Sequence, residues 1–371
     1  MHGTAGDVRA AAPDRRNERR RPRGRAAGQR GPGGADEPPG RVSVFAPSPL
    51  LTVTIEPGAD RPEVHLHPGG QGFWVARMAA NLGAEVVLCS ALGGEPGRVL
   101  WGLLENEPVT LRAADARTPN GVYVHDRRTG QRSEVVAVDS RPLARHAADE
   151  LYGIALAAGL DADVVLVTGC WPTDLIEADI YRRLVTDLRS NGRPVIADLT
   201  GPPLRATLGA GVELLKLSDE EVVAAGLAPG GSTGELVAGA LALHDAGADR
   251  VLVSRGAEPA IFIDDGGDPA EVEVRAPMFE ALDPRGAGDS MFAAIGVGLA
   301  RGMDAVEAVR LGMAAGALNV TRRGLGTGTR DEIERLASHV LARPRPLPAA
   351  SARMPGGIGA LADAAAVEQA P

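Results

Sequence analysis

Residues 286–289 read Gly-Ala-Gly-Asp, after the short strand-like run FEAL and before a segment that sets Phe292, Ile295 and Leu299 on one helical face. Glycines that open a helix leave backbone N–H groups unpaired at the positive end of its dipole, a cradle for anionic oxygens. Asp289 follows the glycines, so it falls inside the first turn and its carboxylate would face whatever the amides hold. A base beside a phosphoryl group is the chemistry this order points to. A tight turn ending in an acid that complements the dipole would use the same residues. Gly296 and Gly298 would let the helix approach a sheet, and Gly302 would end it.

Such a loop needs a sheet behind it, and the chain carries the pattern of a parallel one. Helix, glycine stop and short apolar strand recur at RMAANLGAEVVLCSALG (77–93), LRSNGRPVIADLTG (188–201) and HDAGADRVLVSRG (244–256). Continuously apolar strands of this kind are covered on both faces. Order begins at RVSVFAPSPLLTVTIE (41–56), and 120–138 alternates as a hairpin turning at Thr129 and Gly130. Strands within about 42–56 and 120–140 would form a small sheet over the C-terminal edge of the main one, where open α/β sheets bind ligands. The expected fold is an α/β three-layer sandwich over 41–340, with a mostly parallel central sheet and a small β lid.

The composition limits what else the chain can be. Of its 371 residues 44% are hydrophobic but only 3% aromatic, so the core must rest on Ala, Val and Leu. A net charge of −9 argues against a nucleic-acid-binding body, although RRNERRRPRGR (15–25) makes the first forty residues locally basic. That arm, 1–40, is too poor in aliphatics to offset its ordering entropy and is expected to be disordered. Residues 341–371, rich in Ala, Pro and Gly, are expected to be a flexible tail. No run approaches the ~20 apolar residues of a membrane helix. Cys89 and Cys170 sit in apolar contexts that suit thiols of a reducing compartment, so a cytoplasmic location is expected.

The segment around Gly286–Asp289 resembles the Asp-Ser/Thr-Thr/Val-Gly-Ala-Gly-Asp signature of the ribokinase-like (PfkB) carbohydrate kinase family. HPGGQGFWVARMAANLG (67–83) resembles that family's N-terminal Gly-Gly-Lys-Gly-x-Asn-Val-Ala signature, in the same order along the chain. The pattern is nearest the 1-phosphofructokinase and tagatose-6-phosphate kinase branch. The resemblance implies a ribokinase-like sandwich that transfers the γ-phosphoryl group of ATP, with Mg²⁺, to a hydroxyl of a sugar or sugar phosphate. It implies Asp289 as general base and the amides of Gly286, Ala287 and Gly288 as anion hole. In LLKLSDEEV (214–222), Ser218 stands in the family's Asn position, and Glu221 would help hold Mg²⁺ through water. A capped acidic helical turn fits the same letters. Lys216, Ser254, Gly256, Asn319, Gly324 and Gly326 fall where the family meets ATP, with Pro259 replacing the last glycine of one loop.

The acceptor side departs further from the family. Its implied residues are Thr52, Gly69, Gly70, Gln71 and Trp74, with Thr52 in place of an acid, Gln71 of a lysine and Trp74 of an asparagine. Pro119 stands where the branch has a phosphate-gripping arginine. Losing two cations weakens the case for a phosphorylated acceptor, which wants charge-assisted partners. A non-phosphorylated sugar or nucleoside, or a catalytically weak ligand-binding relative, are the alternatives. Trp74 would stack on a ligand or fill the core, and Arg285 would supply charge to the anion hole or lie in solvent. The hairpin's exposed sheet could pair with a second copy, giving a homodimer through the lid.

Overall fold

The computed structural model describes residues 39–347 apart from 266–268 and 323. The expected arm, save its last two residues, and the chain beyond 347 lie outside the described residues. The first half holds β1 (Arg41–Phe45), β2 (Leu50–Glu56), β3 (Glu63–Gly69), α1 (Gln71–Asn81), β4 (Glu85–Leu92), α2 (Gly94–Leu104), β5 (Thr110–Asp115), β6 (Val122–Asp126) and β7 (Ser133–Val138). Then come α3 (Arg145–Asp161), β8 (Val164–Thr168), α4 (Ala178–Ser190), β9 (Val195–Asp198), α5 (Gly201–Leu208), β10 (Leu214–Ser218), α6 (Asp219–Ala224) and α7 (Thr233–Asp245). The rest comprises β11 (Arg250–Arg255), β12 (Glu258–Asp265), β13 (Pro269–Arg275), α8 (Ala287–Ala300), α9 (Ala305–Asn319), α10 (Arg330–Ala337) and β14 (Leu341–Arg345).

Ten strands form the main sheet in the order β14-β13-β12-β11-β10-β9-β8-β1-β4-β5. Pairing is parallel from β11 to β5 and antiparallel from β11 to β14. The apolar runs explain the two covers. On β8, Val164 and Leu166 join the core on the α1, α8 and α9 side, while Val165 and Val167 join the core under α3, α4, α5 and α7. Period-2 side chains that are apolar on both faces require helices on both faces, hence a three-layer sandwich.

A second sheet, β3-β2-β6-β7, is the lid. Two expectations need correction here. Of the strands read within 42–56, β1 belongs to the main sheet, in parallel register with β4 and β8, and only β2 enters the lid. Pro47 and Pro49 lie between them, where a missing donor and a fixed φ redirect the chain. The expected flexible tail also begins too early, because Leu341–Arg345 pairs with β13 as an edge strand. Pro344 is tolerated on such an edge, and Arg345 closes on Glu273 at 2.5 Å.

Helix α8 reaches the sheet as expected through Gly296, where a Cβ would come within 2.7 Å of Leu166 Cδ1. Gly298 serves a different contact, since a Cβ there would meet Ala308 of α9 at 3.0 Å. Among the described residues, no helix is long and apolar enough to cross a membrane.

Candidate active site

Strands β9 and β10 end side by side at the C-terminal edge of the sheet, and the start of α8 closes over them. Lys216, on β10, extends its ammonium to Asp198 Oδ2 at 2.9 Å, with both side chains almost wholly buried. A Cβ on Gly288 would lie 2.9 Å from Lys216 Nζ, so the first turn of α8 rests directly on the ammonium. Asp198, Glu221 and Asp289 thus surround one cation.

That imbalance sets the protonation states. Burial raises the Asp289 carboxyl to about 7, and the charges of Asp198 and Glu221 add to the rise while Lys216 opposes it. Burial works to lower Lys216, but the carboxylates of Asp198, Glu221 and Asp289 outweigh it and hold the lysine charged above its ordinary value. No described group hydrogen-bonds the Asp289 carboxylate, which stays partly open to solvent. A carboxyl so raised is matched to proton acceptance near neutral pH.

The loop ahead of Asp289 is built for a fixed shape. Gly286 caps α8 with φ +73°, a left-handed conformation that other residues resist, and a Cβ there would strike Leu325 Cδ2 at 2.7 Å. Asn319, fully buried at the end of α9, donates to the Arg285 carbonyl at 2.8 Å and accepts from Ser290 Oγ at 3.1 Å. These two bonds clamp both sides of the glycines. Ala287 N–H makes only a long 3.4 Å turn bond to Pro284 O, so the helix start keeps its donors available. Arg285 is turned back onto Asp283, with Nε at 2.8 Å from Oδ1 and a terminal nitrogen at 2.6 Å from Oδ2.

A cavity of about 350 Å³ adjoins this cluster. Its walls include Asp198 and Glu221 beside Lys216, Gly70 and Gln71 from the start of α1, and Asp139, Ser140 and Trp171 at the lid side. Gln71 Oε1 accepts from Gly169 N–H at 3.0 Å, and its amide also bonds Asp198. Trp171, 72% exposed, donates its indole N–H to Asp139 Oδ1 at 3.0 Å. Buried Asn120 pins the lid's base, donating to Ser48 Oγ, Pro49 O and Ala91 O and accepting from Gly93 N–H.

Residues 52–332 match the model of the pfkB family carbohydrate kinases. The chain belongs to that family. It is 32% identical over 317 residues to the ATP-dependent 6-phosphofructokinase isozyme 2 of Mycobacterium tuberculosis, covering 82% of this chain and 91% of the relative. A crystal structure of a phosphofructokinase-2 point mutant from Escherichia coli is similar with a TM-score of 0.71 and 25% identity, over 81% of this chain and 99% of that one. Arabidopsis thaliana ribokinase complexed with ribose and ATP shares the fold at a TM-score of 0.63 and 20% identity, over 81% and 99% of the two chains.

Within this pfkB fold, the residues singled out from sequence separate into three groups. Asp289, Gly286, Ala287, Gly288, Lys216 and Glu221 gather round one point, with Gly70 and Gln71 on the adjoining cavity. Ser218 and Ser254 are register partners at the ends of β10 and β11, Ser254 Oγ bonding Leu217 O at 3.3 Å, and Gly256 turns the β11–β12 hairpin with φ +55°. Ser218 and Glu221 form a full capping box, Ser218 N–H donating to Glu221 Oε2 at 2.7 Å. A third group has other duties. Trp74 is a core residue, its ring 4.8 Å from that of Phe73, and it does not line the cavity. Thr52 is buried in the lid against Gly69, away from the cavity walls. Asn319 spends its side chain on the catalytic loop, and the turn at Gly324 and Gly326 braces it through Leu325, Gly326 O also accepting from Asn81.

Sequence reasoning missed Asp198, Asp139 and Trp171. For Asp198 the signal was present, an acid closing the apolar run VIAD at the C-terminal end of a parallel strand. The other two lie in loops with no pattern of their own.

Proposed function

We propose that the chain transfers the γ-phosphoryl group of ATP to a hydroxyl of a sugar or sugar phosphate, in the manner of a phosphofructokinase. The observation that carries this reading is Asp289, a hydrogen-bond-free carboxyl raised to about 7 in the first turn of a helix whose glycine start rests on a buried lysine. Asp289 takes the acceptor's proton. The amides of Gly286, Ala287 and Gly288 face the phosphoryl oxygens, and Lys216 adds a fixed positive charge behind them. Ser218, Ser254, Gly256 and the turn at Gly324 and Gly326 border the nucleotide side, and Asn319 positions the loop.

Mg²⁺ fits as the partner of ATP. No cluster of three or more metal-ligating side chains occurs among the described residues. Asp198 and Glu221 share one cavity wall, and a hydrated hard cation is commonly held by one or two carboxylates together with substrate phosphates. When bound, the ion neutralises phosphate charge. One lid face aligns Leu66, Val53, Val124 and Val136 in a row that meets the core at Val53, and Val64, Leu66, Val136 and Val138 are exposed, which supports a homodimer formed through the lid. The two free thiols suit the reducing cytoplasm.

The test is Asp289→Asn. It should lower ATP-dependent phosphoryl transfer by about 10²–10⁴-fold while nucleotide affinity, measured by calorimetry, changes little. Transfer that persists undiminished in this variant would remove Asp289 from the role of base.

A further inference from the structure

Under the kinase reading, the acceptor wall is the side of the cavity formed by Gln71, Asp139 and Trp171, and it carries no Lys, Arg or His. The positive charge nearby belongs to the lid. Strand register puts Thr52, Thr54, His67, Tyr123 and His125 on one lid face, opposite the row of Leu66, Val53 and Val124. Thr52, Thr54 and His125 are buried, whereas Val64 and Leu66 on the other face are exposed. A sheet that covers its polar face has polar groups to satisfy there.

Two of those groups are left over. His125, 2% exposed, spends Nε2 on Thr54 Oγ1 at 3.2 Å, and its Nδ1 is buried without a partner among the described residues. Arg127, which continues the alternation of β6, buries an unpartnered Nε, and its guanidinium makes no ion pair among the described residues. Arg132 lies over the Tyr123 ring at 4.7 Å, and His67 meets the Trp74 ring of α1 at 6.2 Å. Facing them is the loop before α8. The Asp283 carboxyl is held low first by its bond from Arg285 and further by the charge of Arg127. Burial, then the charges of Arg132, Arg127, His67 and Arg285, pushes His125 down to about 4. Desolvation, then the charge of Arg285, lowers the Arg132 guanidinium as well. Asp283 offsets one of the three arginines, and Glu134, the register partner of His125, is exposed and pairs with none of them. Guanidinium forks match phosphate oxygens in pairs, and an oxyanion here would relieve the mutual repulsion.

We propose that the polar face of the lid is a phosphate site, in which His125, Arg127 and Arg132, with Arg285 from the loop before α8, hold a phosphate group carried by a substrate. The site stands on the lid geometry, and its assignment to a substrate rests on the kinase reading above. The phosphate is either the acceptor's own or the terminal one of ATP. Because Arg285 directly precedes Gly286, an anion shared between it and the lid draws the lid onto the start of α8.

The first test uses the full chain and inorganic phosphate at constant ionic strength. The imidazole NMR signal of His125, identified by its loss in His125→Phe, should shift saturably with phosphate. Arg127→Gln removes a cation without a partner, so it should weaken that phosphate by about tenfold and leave the melting temperature in phosphate-free buffer no lower. Arg132→Gln should weaken it in the same direction. A His125 signal that ignores phosphate, or an affinity unchanged in both variants, would overturn the proposal. Calorimetry then separates the two sources. Weaker D-fructose 6-phosphate in Arg127→Gln, with a Mg²⁺-bound non-hydrolysable ATP analogue unchanged, assigns the site to the acceptor, and the reverse assigns it to ATP. Loss of neither would overturn the assignment to a substrate. Phosphate bound on the lid of a chain that transfers no phosphoryl group would instead overturn the kinase reading and leave the site standing.

Discussion

The catalytic loop and the acceptor wall flank the same residue, Asp198, and are held by different means. On the loop side, function rests on backbone. Gly286 must adopt φ +73°, Gly288 must leave room for Lys216 Nζ, and Asn319 ties the chain on either side of them, at Arg285 and Ser290. On the acceptor side it rests on side chains, with Asp139, Trp171 and Gln71 converging from the lid's base, a loop and a helix start. Backbone requirements admit few residue types, whereas a side-chain wall can be rebuilt with the fold unchanged. On the proposed function, the loop would define the chemistry and the wall the substrate.

The difference can be broken most severely at Lys216. Lys216→Met would leave Asp198 buried without its partner, and urea denaturation should show a loss of about 3–5 kcal/mol. An unchanged midpoint would mean that the pair contributes nothing to the loop's footing. Next in size is the Asp289 carboxyl itself. Its value rises from 3.8 unfolded to about 7 folded, so between those pH values the native state keeps a proton that the unfolded chain has lost. Stability therefore falls as pH rises through that window, and the cost is complete above it. Asp289→Asn should stabilise the metal-free protein by up to about 4 kcal/mol at pH 8 and by nothing near pH 4, read from melting curves at the two pH values.

A smaller effect sharpens the same contrast. Asn319→Leu removes the clamp without touching the reacting groups, so kcat should fall by about 10–100-fold with the KM for acceptor nearly constant. A rise in acceptor KM with kcat intact would place Asn319 on the acceptor side instead.

These distinctions also explain what could be read from the letters. The three-layer sandwich was legible because apolar runs punctuated by glycine leave parallel strands few alternatives. Gly286–Asp289 was legible as a glycine-opened helix start, since the left-handed turn at Gly286 admits few other residues, while its phosphate-facing role came from the resemblance and not from the order of the letters. Trp74 was not, since a large ring on α1 serves core or ligand equally well, and only packing against Phe73 decides. Asn319 lay in a glycine-rich segment that suggested the nucleotide, yet its amide reaches back 34 residues to Arg285. Long-range bonds of that kind leave no local pattern. Nor could β1 be separated from the lid until its register with β4 and β8 was visible.

The most direct test of Asp289 as the base is the pH dependence of kcat/KM for phosphoryl transfer. The base must be ionised, so the rate should rise tenfold per pH unit on the acid side and level off with an apparent pKa well above the ordinary aspartate value, because burial, the largest cause of the rise, persists with Mg²⁺ bound. In Asp289→Asn that ascending limb should vanish along with most of the activity. A limb centred near the ordinary aspartate value of 3.8, or one that survives the substitution, would contradict the account.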